Sequence, residues 1–322
     1  MLTRRATIAA LAGLAATHGT RAQGFPNRTI IIVVPYPAGG PADVTARLIA
    51  QSIGTSLNQP IAVDNRGGGA GVIGSVAVQH AEPDGHTLIL GTNQTHATNQ
   101  SLLKNCPYDA VKDFAPVAGI ADIPHVLVVR RGLEAENVAA LVQLAKKSPG
   151  ELNYASTGVG SASHLAAELF KTRAGVALQH IPFRGSAPMT TELLAGRVDL
   201  TFATLPSIIS HIDAGAVRAL AVASAKRVLR LPNLPTLGEA GVRGVEADAW
   251  FALFAPAKTP GAILERLFRA VSAGLTTEAS SEAVAAQGMT LALRSPAELA
   301  AWLPGEIAKW AAVIKAAGVS AD

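Results

Sequence analysis

The sequence has little of what marks a disulfide scaffold, a metal centre or a nucleic-acid binder. Cys106 is the only cysteine in 322 residues, so no intramolecular disulfide can form, and a lone cysteine is more often inert than nucleophilic. The eight histidines are scattered, and no group of His, Cys, Asp and Glu has metal-ligand spacing. No basic tract indicates contact with nucleic acid. We therefore expect no metal, no cofactor and no nucleic-acid partner.

Residues 1–22 have the pattern of an export signal. Arg4 and Arg5 precede an apolar segment, residues 6–16, and small residues precede Gln23, where cleavage is expected. The apolar segment is too short to span a bilayer. Cleavage would remove three arginines and no acid, leaving 24 basic and 23 acidic residues and a net charge of +1. The pattern favours the general secretory route, and the arginine pair leaves a twin-arginine route open.

The rest of the chain has no run of 18 apolar residues, so we expect a soluble, exported globular protein. With 49% hydrophobic residues and this length, it can bury the cores of two domains of ordinary size.

Residues 29–43, TIIIVVPYPAGGPAD, organise the first unit. The first six of these residues are all β-branched, and five of them are apolar, which predicts a strand buried on both faces of the kind found in an α/β sheet. Prolines and glycines end that strand, and helical apolar spacing follows from about Asp43. The loop therefore lies where free backbone N–H groups and the positive end of a helix dipole favour an anion.

The pattern of strand, helix and loop continues and predicts two α/β units that face each other across a cleft. In the first unit, strands at residues 60–64 and 86–90 follow, and the latter ends in a polar loop at residues 91–96. A second unit of the same kind is predicted to begin at residue 125. The chain then returns to the first unit, where residues 249–255 form a strand and residues 260–319 a mostly helical tail. Two extended crossings between the lobes would act as hinges.

Three motifs allow other interpretations. Residues 69–74 match G-x-G-x-x-G, which would suit a dinucleotide-dependent enzyme, but the motif does not follow the first strand of its unit, and the next strand ends in GTN where a ribose-binding acid is wanted. Ser161 lies near His164, as a hydrolase would require, but no G-x-S-x-G elbow surrounds it, and capping of a helix explains the serine as well. Arg184 ends a strand beside a glycine, where it could pair with a carboxylate or remain a solvated surface residue.

Several segments together resemble a known family. They are residues 34–43 (VPYPAGGPAD), 65–71 (NRGGGAG), 83–88 (PDGHTL), 107–116 (PYDAVKDFAP), 183–185 (FRG) and 250–256 (WFALFAP). In this order they are similar to the solute receptors of tripartite tricarboxylate transporters, also called Bug receptors. The resemblance implies a type II periplasmic binding-protein fold, with residues 23–124 and 225–322 as lobe I and residues 125–224 as lobe II.

The resemblance also implies which residues bind the ligand. From lobe I these are Tyr36, Pro37, Ala38, Gly39, Gly40, Thr92, Asn93 and Thr95. From lobe II they are Ser156, Thr157, Gly158, Ser161, Arg184 and Ala203. Members of the family often have an acidic residue before Asn-Leu-Pro where this chain has Ala203 and Thr204. That departure removes a partner for a ligand amine and favours a plain carboxylic acid over an amino acid.

The function implied is capture of a small mono-, di- or tricarboxylate in the periplasm, without catalysis. The closed receptor, expected to be a monomer, would deliver the acid to the membrane permease subunits of a tripartite tricarboxylate transporter. A purely sensory role remains an alternative.

Overall fold

The computed structural model describes residues 24–320, so the predicted export signal, residues 1–22, lies outside the described residues. In chain order the strands are β1 (Ile30–Val34), β2 (Ile61–Asn65), β3 (Thr87–Thr92), β4 (Phe114–Ile123), β5 (His125–Arg130), β6 (Asn153–Ser156), β7 (Gln179–Pro182), β8 (Leu200–Thr204), β9 (Val217–Val222), β10 (Ala249–Pro256) and β11 (Thr290–Arg294). The α-helices are α1 (Pro41–Leu57), α2 (Val72–Gln79), α3 (Asn99–Leu102), α4 (Val138–Lys147), α5 (Ala162–Ala174), α6 (Ser186–Leu194), α7 (Leu205–Asp213), α8 (Gly261–Leu275), α9 (Glu278–Ala286) and α10 (Pro296–Ala317).

These strands form two sheets, which confirms the predicted pair of α/β units. The first lobe contains a six-stranded sheet in the order β11-β4-β10-β3-β1-β2, and the second lobe a five-stranded sheet in the order β7-β6-β8-β5-β9. The predicted parallel cores are present, because β1 pairs in parallel with β2 and β3, and β6 pairs in parallel with β7 and β8. Antiparallel strands extend both sheets.

Alternation of side chains along β1 supplies two cores at once. Ile30, Ile32 and Val34 pack in one apolar cluster with the inner face of α1, whereas Val33 belongs to a second cluster on the other face of the sheet. All four are at most 1% exposed. A strand whose successive side chains enter opposite cores must be apolar throughout, which explains the unbroken run in the sequence.

The second cluster is shared by the two lobes. It joins residues of the first sheet to Leu165 and Phe170 of α5 in the second lobe through Trp310 and Ile314 of α10. Trp310 docks the tail, because the ring is fully buried and its Nε1 donates a hydrogen bond to Glu306 over 3.0 Å. The lobes are thus in apolar contact along one side of the molecule.

Two predicted segments differ from the structure. The prediction of a polar loop at residues 91–96 was wrong, because β3 runs to Thr92 and a buried π-helical turn, Gln94–Thr98, follows it. Its polar side chains are hydrogen-bonded rather than solvated. The tail is mostly helical as predicted, but it also contains β11, whose pairing with β4 over a long sequence separation leaves no local signal.

The chain crosses between the lobes at two places. Only Pro124 separates β4 from β5. On the return, residues 225–247 stay with the second sheet: Val222 N donates to Pro235 O, and Ala247 N donates to Ala223 O over 2.7 Å. These contacts favour a return crossing at residues 247–249 rather than at residues 224–225.

Candidate functional site

A large cavity lies between the two lobes, at the carboxyl ends of the parallel strands. Its volume is about 1410 Å³. From the first lobe it is lined by the loops after β1 and β2, the end of β3 and the segment after α3; from the second lobe it is lined by the loops after β6 and β7 and by the end of β8. Ligands of α/β sheets bind at this edge because the loops carry free backbone N–H groups there.

The structure brings ten of the fourteen predicted site residues to this cavity. They are Tyr36, Pro37, Ala38, Gly40, Thr92, Asn93, Thr157, Gly158, Ser161 and Arg184. The loops after β1 and β6, predicted to face one another, therefore share one crevice.

The other four predicted residues do not line the cavity. Gly39 is exposed, and its N–H donates to Asp43 Oδ2 over 2.9 Å. Thr95, Ser156 and Ala203 are fully buried beneath the lining. At the end of β8 the alternation of side chains turns Thr204, not Ala203, into the cavity.

The phenol of Tyr36 is held at the first-lobe wall. Its hydroxyl lies 2.9 Å from Thr92 Oγ1 and donates to Gln94 Oε1 over 3.2 Å. Burial raises the pKa of Tyr36 to about 12, and the hydrogen bond with Thr92 opposes that shift only in part. Tyr36 is therefore a neutral hydroxyl in the physiological range.

Thr95 supports this wall from below. Its Oγ1 accepts from Thr92 N over 3.0 Å, and its carbonyl accepts from Tyr108 Oη over 2.7 Å. Burial raises the pKa of Tyr108 as well, so that hydroxyl stays a donor. The end of β3 is fixed by this short chain of hydrogen bonds.

In the second lobe, hydroxyl groups shape the loop after β6. Ser156 Oγ donates to Gly158 O and accepts from Gly158 N, both over 3.1 Å, and lies 2.7 Å from His180 Nε2. Thr157 N donates to Ser163 Oγ over 3.0 Å, and Ser161 caps α5 by accepting from the backbone of its third residue. Ser161 therefore has the capping role that the sequence allowed.

His164 and His180 continue this network as a stack beneath the loop. Their ring centroids are 3.9 Å apart, the ring of Tyr154 is nearly parallel to His180 at 4.8 Å, and Gly160 N donates to His164 Nδ1 over 3.0 Å. Burial, reinforced by His180, lowers the pKa of His164 to about 4. His164 is thus neutral near pH 7 and accepts from the loop backbone, so it supports the loop rather than serving as a base.

The cavity lining is cationic. None of the described residues that line it is an Asp or Glu, whereas two cationic residues, Lys104 and Arg184, line it. Arg184 is exposed and has no hydrogen-bond or ion-pair partner within residues 24–320. His125 also faces the cavity, but burial lowers its pKa to about 4 and its Nδ1 is bound to Ala247 O at 2.8 Å, so it adds no charge at neutral pH. The lining suits an anion.

The lobes touch directly beside the cavity. Gln94 Nε2 donates to Val159 O over 3.3 Å, and Thr98 Oγ1 donates to Gly160 O over 3.1 Å. Gly160 has a φ of +71°, and a Cβ built on it would lie only 2.0 Å from Leu102 Cδ2. Only glycine allows this approach.

Sequence reasoning missed part of the lining. The missed residues with the clearest chemistry are Gln94, Lys104, Asn105, His125, Phe183, Thr204 and Trp250. His125 and Thr204 stand at strand termini, so the predicted topology could have found them. The segment of Lys104 and Asn105 carries no motif and reaches the cavity only through the tertiary fold.

Packing explains why the segment after β2 is rich in glycine. Its residues 67–71 line the cavity, but a Cβ on Gly71 would lie 2.5 Å from Thr95 Cγ2, and one on Gly74 would lie 3.0 Å from Arg66 O. Close approach of backbone to neighbouring side chains therefore accounts for these glycines.

Within the described residues no group of three or more His, Cys, Asp and Glu could hold a metal ion, and no helix of that part is long and apolar enough to cross a membrane.

Comparison with known proteins agrees with this geometry. The family model described as "Tripartite tricarboxylate transporter family receptor" matches residues 45–319. Protein BugT of Bordetella pertussis is 38% identical over 310 residues, which cover 96% of this chain and 94% of that protein.

Solved structures give the same result. "R. palustris Rpa4515 with adipate" has a TM-score of 0.88 and 40% identity, covering 92% of this chain and 99% of that one. "MatC (Rpa3494) from Rhodopseudomonas palustris with bound malate" has a TM-score of 0.84 and 33% identity, covering 90% and 100%. The predicted periplasmic binding-protein fold is confirmed by these neighbours and by the two mixed sheets.

Proposed function

Because the chain belongs to the tripartite tricarboxylate transporter receptor family, it is a solute-binding receptor rather than an enzyme, and we propose that it captures a small organic carboxylate in the cleft between its lobes. The observation that carries this proposal is the lining itself. Loops rich in backbone N–H groups and hydroxyls meet from both lobes, and within residues 24–320 Arg184 has no partner and no acid lines the cleft. Such a cleft attracts an anion and offers it many hydrogen bonds.

The ligand would join the two lobes. Neutral hydroxyl groups, those of Tyr36 and Thr157, lie on opposite walls, and Arg184 supplies positive charge from the second lobe. A carboxylate stabilises the closed form only by the difference between its affinities for the closed and open forms. Because none of the described residues in the lining is an Asp or Glu, a ligand ammonium group would meet no counter-charge from them, which favours plain carboxylic acids over amino acids.

The same family membership supports a proposal about where the receptor acts. We place the mature receptor in the periplasm after cleavage of residues 1–22, acting as a monomer that delivers its acid to the membrane permease subunits of a tripartite tricarboxylate transporter. The structural neighbours named with adipate and malate support a carboxylate as the class of ligand.

Thermal unfolding against a panel of mono-, di- and tricarboxylates tests the proposal. A ligand at about 100 times its Kd adds roughly 2.7 kcal/mol to the free energy of unfolding, which raises the Tm by several degrees. Arg184→Ala should remove most of this shift. Arg131→Ala deletes another exposed arginine, one that lies away from the cavity and has no partner in the described part of the chain, and it should leave the shift intact. The proposal fails if no carboxylate stabilises the wild-type protein.

A further inference from the structure

Lys104 and Asn105 line the cleft from the segment that follows α3, and the predicted site did not include them. Both side chains are exposed, and neither has a hydrogen-bond or ion-pair partner within residues 24–320. An ammonium group and an amide are both suitable donors for a carboxylate.

The base of this segment is held firmly. Gln100 Nε2 donates to Tyr108 O over 2.9 Å and lies 3.3 Å from Cys106 Sγ, and Gln100 Oε1 accepts from Ala110 N over 2.9 Å. The hydroxyl of Tyr108 is in turn bonded to Thr95, below the first-lobe wall. The two polar side chains therefore extend from a backbone that is fixed relative to the rest of the site.

The nearby acids do not compete for Lys104. It also borders a shallow surface depression together with Asp109 and Asp113. Asp109 already pairs with Lys112 at 3.0 Å, and Asp113 Oδ2 accepts from Gln79 Nε2 over 2.8 Å and from Asp109 N over 2.7 Å. The charge of Lys104 thus stays available to a ligand.

Lys104 and Arg184 reach the cleft from different lobes. The cavity, at about 1410 Å³, exceeds the roughly 300–1,000 Å³ of ordinary ligand pockets. Its wall also includes apolar rings, those of Phe183, Trp250 and Phe251. There is room for a ligand with an apolar middle and more than one charged end.

We propose that Lys104 and Asn105 form a second anion subsite, which takes the distal carboxylate of a ligand with a carboxylate at each end of an apolar chain or ring. The first carboxylate occupies the loops around Tyr36, Thr157 and Arg184. This inference rests on the proposed function and specifies which carboxylates the cleft prefers.

Binding of α,ω-dicarboxylates of four to ten carbons and of the matched monocarboxylates, measured by calorimetry on the mature protein, tests the subsite. We expect the wild-type protein to prefer the dicarboxylate at one or more lengths. At the best length, Lys104→Gln should raise the Kd of the dicarboxylate roughly tenfold and that of the monocarboxylate less than twofold, because only the former has a distal charge. Lys146→Gln, with the same change of charge on α4 and outside the cavity, should leave both values unchanged.

A change of charge at position 104 gives a readout that a merely structural role would not produce. Lys104→Glu should reverse the preference between the dicarboxylate and the ω-amino acid of equal length, because the distal group then meets a carboxylate. Each variant is first compared with the wild type in unliganded thermal unfolding.

The outcomes separate the two proposals. If the wild-type protein binds carboxylates but prefers no dicarboxylate, or if Lys104→Gln changes both ligands alike, the second subsite is refuted and the receptor function stands. If the wild-type protein binds no carboxylate at all, both proposals fail together.

Discussion

Asp248 offers a sharp test of how the return crossing is built. Its carboxylate is largely buried between the lobes and accepts a hydrogen bond from Ser224 Oγ, while its backbone carbonyl accepts from Asn93 Nδ2 over 3.4 Å. Burial raises the pKa of Asp248 to about 6; the hydrogen bond from Ser224 lowers it and the nearby charge of Asp122 raises it again. The charge of Lys309 also lowers this pKa, and that of Glu306 raises it.

The sign of the effect follows from linkage. The native pKa, about 6, lies above the ordinary value of 3.8, so the native state holds this proton more tightly than the unfolded chain does. The stability that results is complete below pH 3.8 and is lost as the pH rises through 6. A shift of about two units corresponds to about 3 kcal/mol as an upper bound, and we expect about 1–2 kcal/mol after relaxation and water penetration.

Asp248→Asn removes the ionisation while keeping the shape and an acceptor for Ser224. We expect its free energy of unfolding to exceed that of the wild type by about 1–2 kcal/mol at pH 8 and to approach the wild-type value near pH 4. Urea unfolding at unit steps of pH measures this difference directly. The contribution of histidine titration to the free energy of unfolding cancels in the difference, because both proteins contain the same histidines.

Asp64→Asn is the matched control, since Asp64 lies on β2, is half-exposed and forms an ion pair with Arg66. That change should stay within about 0.5 kcal/mol at every pH. An Asp248→Asn protein that is no more stable than the wild type at pH 8 would refute the reasoning, because it would mean that the native carboxylate is not penalised by burial.

The remaining predictions concern the second-lobe loop. Gly160→Ala should cost about 1–3 kcal/mol of stability in urea unfolding, because it adds a Cβ against Leu102 at a positive φ. Gly175→Ala, at a similar φ of +62° with nothing within 4 Å, should cost only about 1 kcal/mol; equal losses would mean that the contact with Leu102 is unimportant. His164 has a pKa of about 4 instead of 6.5, so the free energy of unfolding should fall as the pH drops from 6.5 to 4, and His164→Gln should flatten that fall; an unchanged slope would contradict the prediction. Ser156→Ala should weaken carboxylate binding several-fold in calorimetry without contact between the residue and the ligand, since it leaves Gly158 N without its acceptor and Gly158 O with only the hydrogen bond from Ser161 N; unchanged affinity would show that the loop holds its shape without Ser156.

Local pattern was enough for the parallel cores and for much of the cleft. The β-branched run of β1 and the proline and glycine residues after it indicate a buried strand that ends in an anion-binding loop, and the structure has both. Repetition of that pattern in the second unit predicted a facing lobe across a cleft, and the family resemblance assigned Thr157 and Arg184 to it. These features follow from short-range chemistry, because strand ends and turn residues are encoded within a few positions of one another.

Only the tertiary structure decided the rest. The buried π-helical turn Gln94–Thr98, the addition of β11 to the first sheet and the return crossing near Asp248 depend on partners far away in sequence, so no local pattern predicts them. Whether Ala203 or Thr204 faces the cleft depends on the register of β8, where one residue reverses the direction of the side chain. Lys104 lies in an unremarkable segment, and it becomes a lining residue because packing of distant elements carries that segment to the cleft.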